Sequence, residues 1–298
     1  MEIIKSCPVC EQHNFKEFLK GKDLFLTGEE FTITECLDCG FRFTNPRPDE
    51  KEIFRYYDSP EYIAHDAGKR TLMQAIYTTI RKISLRNKYS IVKNHSTGNA
   101  LLDIGCGTGE FLNYCRKRNF TTTGIEPSEK AGRFASEEFG LTIFTENKLD
   151  DFPPASYDVI TMWHVLEHVH KLNERMHQIE KLLKPGGTLI IAVPNSDSWD
   201  AAMYKYFWAA YDLPRHLYHF TRYSLKKLAN KNGFSVNVII PLKFDAYYIS
   251  LLSEKYMAGK HNYLSAVTNG IRSNNHGRKN ENNYSSLIYI CKIDQELK

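Results

Sequence analysis

No stretch of this sequence approaches the ~20 consecutive apolar residues that a helix needs to cross a bilayer, which excludes an ordinary membrane-spanning protein. The first residues, Met1 to Lys5, lack the apolar centre of an export signal, so the expected location is the cytoplasm. Charge of one sign is missing as well. Against 39 Lys and Arg stand 35 Asp and Glu, a formal net charge of +4, and the basic residues are scattered instead of forming a stripe. That argues against nucleic acid as a partner. What the 298 residues do have, 42% hydrophobic and 25% charged, suits a globular chain with one large core and room for a small appended module.

The seven cysteines divide unevenly. Cys7, Cys10, Cys36 and Cys39 make two C-x-x-C pairs, while Cys106, Cys115 and Cys291 stand alone. Two such pairs read as a four-thiolate zinc ribbon over residues 1–46. Two disulfides would not suit a reducing compartment, and a redox C-x-x-C pair wants a βαβ setting and does not come twice. A zinc ion with four thiolates has no open position, so it would be scaffold for a module too small to fold on its own core. Residues 47–97 follow as a connector. Asn45-Pro46-Arg47-Pro48-Asp49 stops the ribbon, Tyr56, Tyr57, Tyr62 and His65 form an aromatic-rich segment, and Leu72, Ile76, Ile80 and Ile83, with Tyr77 between, repeat at helical spacing. The tyrosines are read as packing between ribbon and main domain, with a substrate-pocket wall as the alternative.

Over residues 98–298 strand and helix patterns alternate, predicting strands at 100–104, 121–125, 141–144, 157–163, 188–193, 235–240 and 285–293. Between the fourth and fifth, Leu172, Met176, Ile179, Leu182 and Leu183 mark a helix ended by Pro185-Gly186-Gly187. Seven strands with interleaved helices mean a doubly wound α/β sheet. Ligands in such sheets bind beyond the carboxyl ends of the strands, near the switch in strand order. There the first strand runs into Asp103-Ile104-Gly105-Cys106-Gly107-Thr108-Gly109, whose glycines admit positive φ and close approach of a ligand to the backbone. The G-x-G-x-x-G of a dinucleotide site fits poorly, because its third glycine falls out of register. The second strand ends in Gly124-Ile125-Glu126-Pro127-Ser128, where a carboxylate can accept both hydroxyls of a ribose and Ser128 can cap the next helix. Beyond the third, Asn147, Leu149 and Asp150 precede Phe152-Pro153-Pro154.

The fourth strand runs into Trp163-His164-Val165-Leu166-Glu167-His168. Its H-x-x-E-H has the spacing of an inverted zinc protease, but it leaves a buried strand instead of lying in a long helix, and no third ligand is evident. After the fifth strand comes a loop dense in aromatics, with Trp199, Tyr204, Phe207, Trp208 and Tyr211, and then Asp212-Leu213-Pro214-Arg215-His216-Leu217-Tyr218-His219-Phe220. That is more than a connection needs. Between the last two strands lies an insertion, residues 241–284. Its first half, with Phe244, Tyr247, Tyr248, Leu251, Leu252 and Tyr256, reads as an aromatic helix, and its second half, with six asparagines over 269–283, as a mobile loop.

Taken together, the D-x-G-x-G-x-G turn, H-V-L-E-H, L-K-P-G-G, V-P-N, D-L-P-R-H-L-x-H-F and the N-terminal ribbon resemble the class I S-adenosylmethionine-dependent methyltransferases, and within them a ribbon-bearing subgroup that includes deoxysugar C-methyltransferases. The resemblance covers nearly the whole chain and implies a seven-stranded Rossmann-like sheet. It implies S-adenosylmethionine lying on Gly105, Cys106, Gly107 and Gly109, with Asp103 near its ammonium group, Glu126 on its ribose, Asn147 and Leu149 near the adenine, and Trp163 and His164 beside it. Glu167-His168 would start the next helix. The implied partner is a small-molecule acceptor, a sugar or sugar nucleotide among the candidates. A histidine, whose ordinary pKa of about 6.5 suits proton removal near neutrality, would deprotonate it, His216 first and His168 second, with Tyr211 a further catalytic candidate and Arg215 binding a phosphate or carboxylate on the acceptor. Two other readings are an RNA-directed methyltransferase that uses the ribbon for binding, and a binding protein that keeps the fold without catalysis. The first lacks a basic stripe with interleaved aromatics; the second stays open because fold does not fix function.

Overall fold

The computed structural model describes residues 1–57 and 72–294, with side chains from residue 79 onward in the second span; Tyr62 and His65, and the side chains of Leu72, Ile76 and Tyr77, lie outside the described residues. The N-terminal module is an antiparallel meander of β1 (Phe15–Lys22), β2 (Glu30–Cys36) and β3 (Arg42–Thr44). It buries Phe31 and Ile33 on one face and Phe43 on the other, with Phe41 buried just before β3. Tyr56, fully buried, packs edge-on to Phe31 at 5.7 Å and donates its hydroxyl to Glu29, both residues of the N-terminal module. The helix that follows, α1 (Leu72–His95), forms where the periodicity places one but buries a different face. Ile80 and Ile83 are each 40% exposed, and Val92, with Leu85, Tyr89 and Ile91, does the packing.

The main domain alternates β4 (Ala100–Ile104), α2 (Glu110–Arg116), β5 (Thr121–Ile125), α3 (Glu129–Phe139), β6 (Thr142–Phe144), β7 (Tyr157–Trp163), α4 (Leu172–Leu182) and β8 (Leu183–Pro194). Strands β4 to β8 are parallel, and the sheet order is β10-β11-β8-β7-β4-β5-β6 once β10 (Phe234–Pro241) and β11 (Ser286–Ile293) are added antiparallel. Every residue of β7 is buried, because helices and loops cover both faces of a parallel sheet. The order reverses between β7 and β4, so their carboxyl ends open a crevice at Gly105 and His164. Strand β8 begins earlier than Thr188: Leu183 pairs with Tyr157 directly after α4, and Gly186 turns at φ +76° within the strand's first residues.

Two features of the long connections differ from the sequence reading. First, the loop after β8 carries α5 (Trp199–Tyr204) and then a two-residue strand, β9 (Tyr218–His219), which pairs with β3 and becomes the fourth strand of the N-terminal sheet. Phe41 stacks on Tyr218 at 5.7 Å, and the Thr44 hydroxyl donates to the His216 carbonyl at 2.8 Å. The ribbon residues and the sheet residues share one continuous apolar core. Second, after α6 (Arg222–Lys231) and α7 (Asp245–Ala258), the asparagine-rich stretch expected to be a mobile loop is the helix α8 (Tyr263–Lys279). Its buried face is made of Ala266, Gly270, Ser273 and Gly277, small enough for Tyr247 and Tyr284 to lie against the backbone. Its asparagines make fixed contacts: Asn262 caps it, Asn269 donates to Tyr204 and Glu254, and Asn274 to the Lys243 carbonyl. Small-residue packing of this kind carries little hydrophobic signal in a sequence.

Candidate active site

At the switch point the glycine turn is held from behind by its own sheet. Gly105 and Cys106 both donate their amides to the Ile125 carbonyl, and the Gly107 amide donates to Glu126 Oε2 at 2.7 Å. The other carboxylate oxygen of Glu126 accepts from the Ser128 amide at 2.9 Å, while the Ser128 hydroxyl caps α3. Each oxygen keeps a second lone pair. Gly105 and Gly107 serve different ends. At Gly105, with φ +74°, a Cβ would lie 2.4 Å from a Val165 methyl; at Gly107, with φ +55°, nothing stands within 4 Å. Gly105 is therefore required by strain and packing together, and Gly107 leaves an open backbone surface for a ligand. Gly105→Ala is expected to destabilise the fold by about 2–4 kcal/mol, overpacking and left-handed strain combined. Gly186→Ala, also at positive φ but with open space around it, should cost only the strain, and urea unfolding of the two variants compares them.

Asp103 is buried beneath the turn and accepts from the Thr161 hydroxyl at 2.6 Å. Burial pushes its pKa up to about 7, and the Lys88 ammonium pulls the other way. Lys88 reaches in from α1 to lie 4.7 Å over the Trp163 ring. Trp163 packs edge-on to Phe111, and its indole N–H has no partner among the described residues. His164, at φ +57°, points Nε2 to Asp245 at the start of α7, 2.9 Å away. Burial would lower its pKa, yet the charges of Asp245 and Glu167 raise it to about 10. The structure thus gathers Asp103, Gly105, Gly107, Glu126, Trp163 and His164 at one end of the sheet. Gly109 caps α2, and its missing Cβ lets Leu141 and Ala135 close in. Cys106 turns its thiol inward toward Gly124. Leu149 is buried on the 3₁₀ turn after β6, whereas Asn147 is exposed and bonded to Thr145. The sequence reading missed Lys88, Asp245 and Thr161. Only Thr161, a polar residue inside a continuous apolar strand, left a signal.

The loop side differs more. Glu167 and His168 sit in a 3₁₀ turn, Leu166–His168, not at the start of α4, which begins at Leu172. Arg215, expected to face an acceptor, is only 3% exposed, and its donors are taken by Asp212, Asp23 and the Tyr56 carbonyl. A guanidinium so enclosed, with Nε, Nη1 and Nη2 each bonded within the protein, ties the ribbon to the loop instead of facing a ligand. His216 is mostly buried, with Nδ1 2.8 Å from the Ala210 carbonyl, and its ring lies edge-on to His168 at 4.6 Å. His168 Nδ1 meets both the Arg215 carbonyl at 3.0 Å and the Tyr57 hydroxyl at 2.9 Å. Tyr211 packs edge-on to Trp208 and His219 and lines a narrow aromatic cleft with Phe25, Tyr206, Asp212 and Tyr256. Burial pushes its phenol up to about 12.

The family described as Methyltransferase domain matches residues 75–237, more than half of the chain and the whole of the glycine turn, the Glu126 strand and the H-V-L-E-H segment. The chain belongs to that family. Among relatives of this methyltransferase-domain chain, a ubiquinone biosynthesis O-methyltransferase of Idiomarina loihiensis is 32% identical over 124 residues, 38% of this chain and 51% of the relative. One from Pseudomonas aeruginosa is 27% identical over 162 residues, 50% of this chain and 69% of the relative. The chain spans about half the length of the first of these. By structure it is similar to magnesium protoporphyrin IX methyltransferase of Synechocystis PCC 6803, solved with bound SAH (TM-score 0.53, 15% identity, 83% of this chain and 100% of that one). A geranyl diphosphate C-methyltransferase of Streptomyces coelicolor is similar as well (TM-score 0.53, 14% identity, 77% and 86%). At such identities the likeness shows the fold alone, a seven-stranded Rossmann-like methyltransferase sheet.

In the N-terminal module Cys7, Cys10, Cys36 and Cys39 bring their sulfurs together within 4.8 Å of one another, with Cys7 to Cys39 and Cys10 to Cys36 each at 3.5 Å. None is in a disulfide. Four convergent thiols are a donor set for a tetrahedral ion such as zinc. Among the described residues no helix is long and apolar enough to cross a membrane.

Proposed function

We propose that the chain is an S-adenosylmethionine-dependent methyltransferase acting on a small, hydroxyl-bearing acceptor, with a sugar or sugar nucleotide as the candidate class and the four cysteines holding a structural zinc. The carrying observation is the glycine turn of Asp103–Gly109 with Glu126 at the adjoining strand end, inside a family-matched sheet. The bound cofactor supplies an electrophilic methyl on a sulfonium. The chain's part is alignment, exclusion of water and proton handling.

In this reading Gly105, Cys106, Gly107 and Gly109 present backbone to the cofactor, and Glu126 accepts from its ribose hydroxyls with the lone pairs that Gly107 and Ser128 leave free. Asp103 and Lys88 flank its amino-acid end as carboxylate and ammonium, Trp163 and His164 wall the methyl side, and Leu149 and Asn147 lie along the adenine edge. His216 and His168, each tied at Nδ1 to a backbone carbonyl, keep an Nε2 lone pair for the acceptor side. Tyr211, held protonated by burial, is a hydrogen-bond donor there and not a base.

Calorimetry with S-adenosylmethionine tests the reading: micromolar or tighter binding is expected, and preference for NAD would overturn it. Its pH dependence tests Asp103. With a pKa of about 7, Asp103 is neutral in acid, and a cationic ligand favours the charged form. Binding should then release a proton, and affinity should rise from about pH 5.5 to about pH 7, by at most about tenfold per unit. Asp103→Asn should flatten that rise.

A further inference from the structure

Apart from the thiols, one further cluster of metal-binding side chains occurs among the described residues: Glu167, His168 and His216, whose ligand atoms lie within 4.8 Å of one another. Glu167 is wholly buried, and neither of its carboxylate oxygens has a hydrogen-bond partner. His164 Nδ1 stands 3.4 Å from Oε1 but outside hydrogen-bonding geometry. His164 forms an ion pair with Oε1 at that distance, which leaves Oε2 as the carboxylate oxygen that nothing meets, a costly state for a buried charge.

The two imidazoles are set up as ligands. His216 Nδ1 donates to the Ala210 carbonyl, which leaves Nε2 as its nitrogen with a lone pair; His168 Nδ1 lies between the Arg215 carbonyl at 3.0 Å and the Tyr57 hydroxyl at 2.9 Å, and with its proton toward the carbonyl it too presents Nε2. Metal-ligating histidines are oriented by this kind of second hydrogen bond. The turn after β7 contributes two of the three side chains and the loop before β9 the third, so the H-x-x-E-H motif finds its missing ligand 48 residues downstream of His168, with His164 outside the set.

We propose that Glu167, His168 and His216 hold one divalent cation of first-row type, at the acceptor end of the crevice, with coordination positions left open. Two nitrogens and one oxygen suit such an ion, and ligand atoms within 4.8 Å of one another come within reach of a common ion by small side-chain movements. Its use in methyl transfer rests on the function proposed above; its existence does not. There the ion would take a hydroxyl oxygen of the acceptor and acidify it, the proton leaving to solvent, the oxygen bonding to the methyl carbon as the carbon–sulfur bond breaks and its electron pair returns to sulfur.

The probe is Mn²⁺, which thiolates attract poorly, so the four-cysteine site does not compete for it. Untagged protein shown by metal analysis to carry one zinc per chain, that of the four cysteines, and without S-adenosylmethionine, is titrated while the electron paramagnetic resonance signal of free Mn²⁺ is followed. One Mn²⁺ per chain is expected, with ¹⁴N modulation from coordinated imidazole in the pulsed spectrum. Glu167→Gln and His216→Asn should each weaken binding by roughly tenfold or more at unchanged zinc content. A free-Mn²⁺ signal undiminished by wild-type protein, bound Mn²⁺ without nitrogen modulation, or two variants that bind like wild type would each overturn the site. Because the pulsed spectrum is read on wild type, a misfolded variant does not decide the matter. S-Adenosylmethionine binding is measured without Mn²⁺, so failure of the ion site and failure of the methyltransferase reading are seen separately.

Discussion

Cys36→Ser is expected to purify without zinc, to melt earlier than wild type and to lose methyl transfer while still binding S-adenosylmethionine. Structural four-thiolate sites contribute on the order of 10–16 kcal/mol to folding of their modules at neutral pH. The meander is short, with β3 three residues long, and the four sulfurs tie its chain start to the turn between β2 and β3. The consequence travels through named contacts. Strand β3 is the partner of β9, Arg42 donates to Ser196 and Asp197, Thr44 holds the His216 carbonyl, and Asp23 meets Arg215 at 3.1 Å with both side chains almost fully buried. Removing one partner of such a pair leaves a buried charge, a loss of about 3–5 kcal/mol. The loop that carries His216 therefore loses its outer wall when the ribbon unfolds, whereas the turn at Gly105–Gly109 is braced by β5 and keeps its shape. Metal analysis, thermal unfolding and cofactor calorimetry on the same preparation check this. Wild-type protein without zinc would show that the thiols are not a metal site, and a zinc-free variant that melts like wild type would show that the ion does not hold the module together.

Glu126→Ala should weaken S-adenosylmethionine binding by about 1–3 kcal/mol, the penalty for ribose hydroxyls left without acceptors, which is roughly five- to 150-fold in affinity. The same carboxylate accepts the Gly107 and Ser128 amides, so its loss also frees the turn. Glu126→Gln separates the two effects. Its single carbonyl oxygen retains one acceptor, so it should fall between wild type and Ala. Calorimetry with the cofactor measures all three, and equal affinities across them would remove Glu126 from the site.

The parts of this fold that could be read in the sequence are those whose cause is local. Strands β4 and β7 lie over the residues expected because buried parallel strands are largely apolar, β5 because Thr121, Thr122 and Thr123 are β-branched, and the cysteine spacing states its own geometry. The parts that could not be read are set by partners far along the chain. Nothing near Tyr218 says that it will pair with Phe43, and Arg215 looks like a ligand-binding cation until Asp23 is seen beside it. Helix α8 hides because its packed face is Gly and Ser and its polar residues are asparagines, all weak helix formers that tertiary contacts override. Lys88 and Asp245 reach the crevice from a connector helix and from an insertion, both outside the strand-end motifs that mark such sites.

The central claim is that the crevice between β4 and β7 is a site for S-adenosylmethionine. Native mass spectrometry of the purified chain in an equimolar mixture of S-adenosylmethionine and NAD tests it most directly. One S-adenosylmethionine, or its demethylated product, should be retained per wild-type chain and largely lost from Glu126→Ala. Retention of NAD, or of neither, would contradict the account.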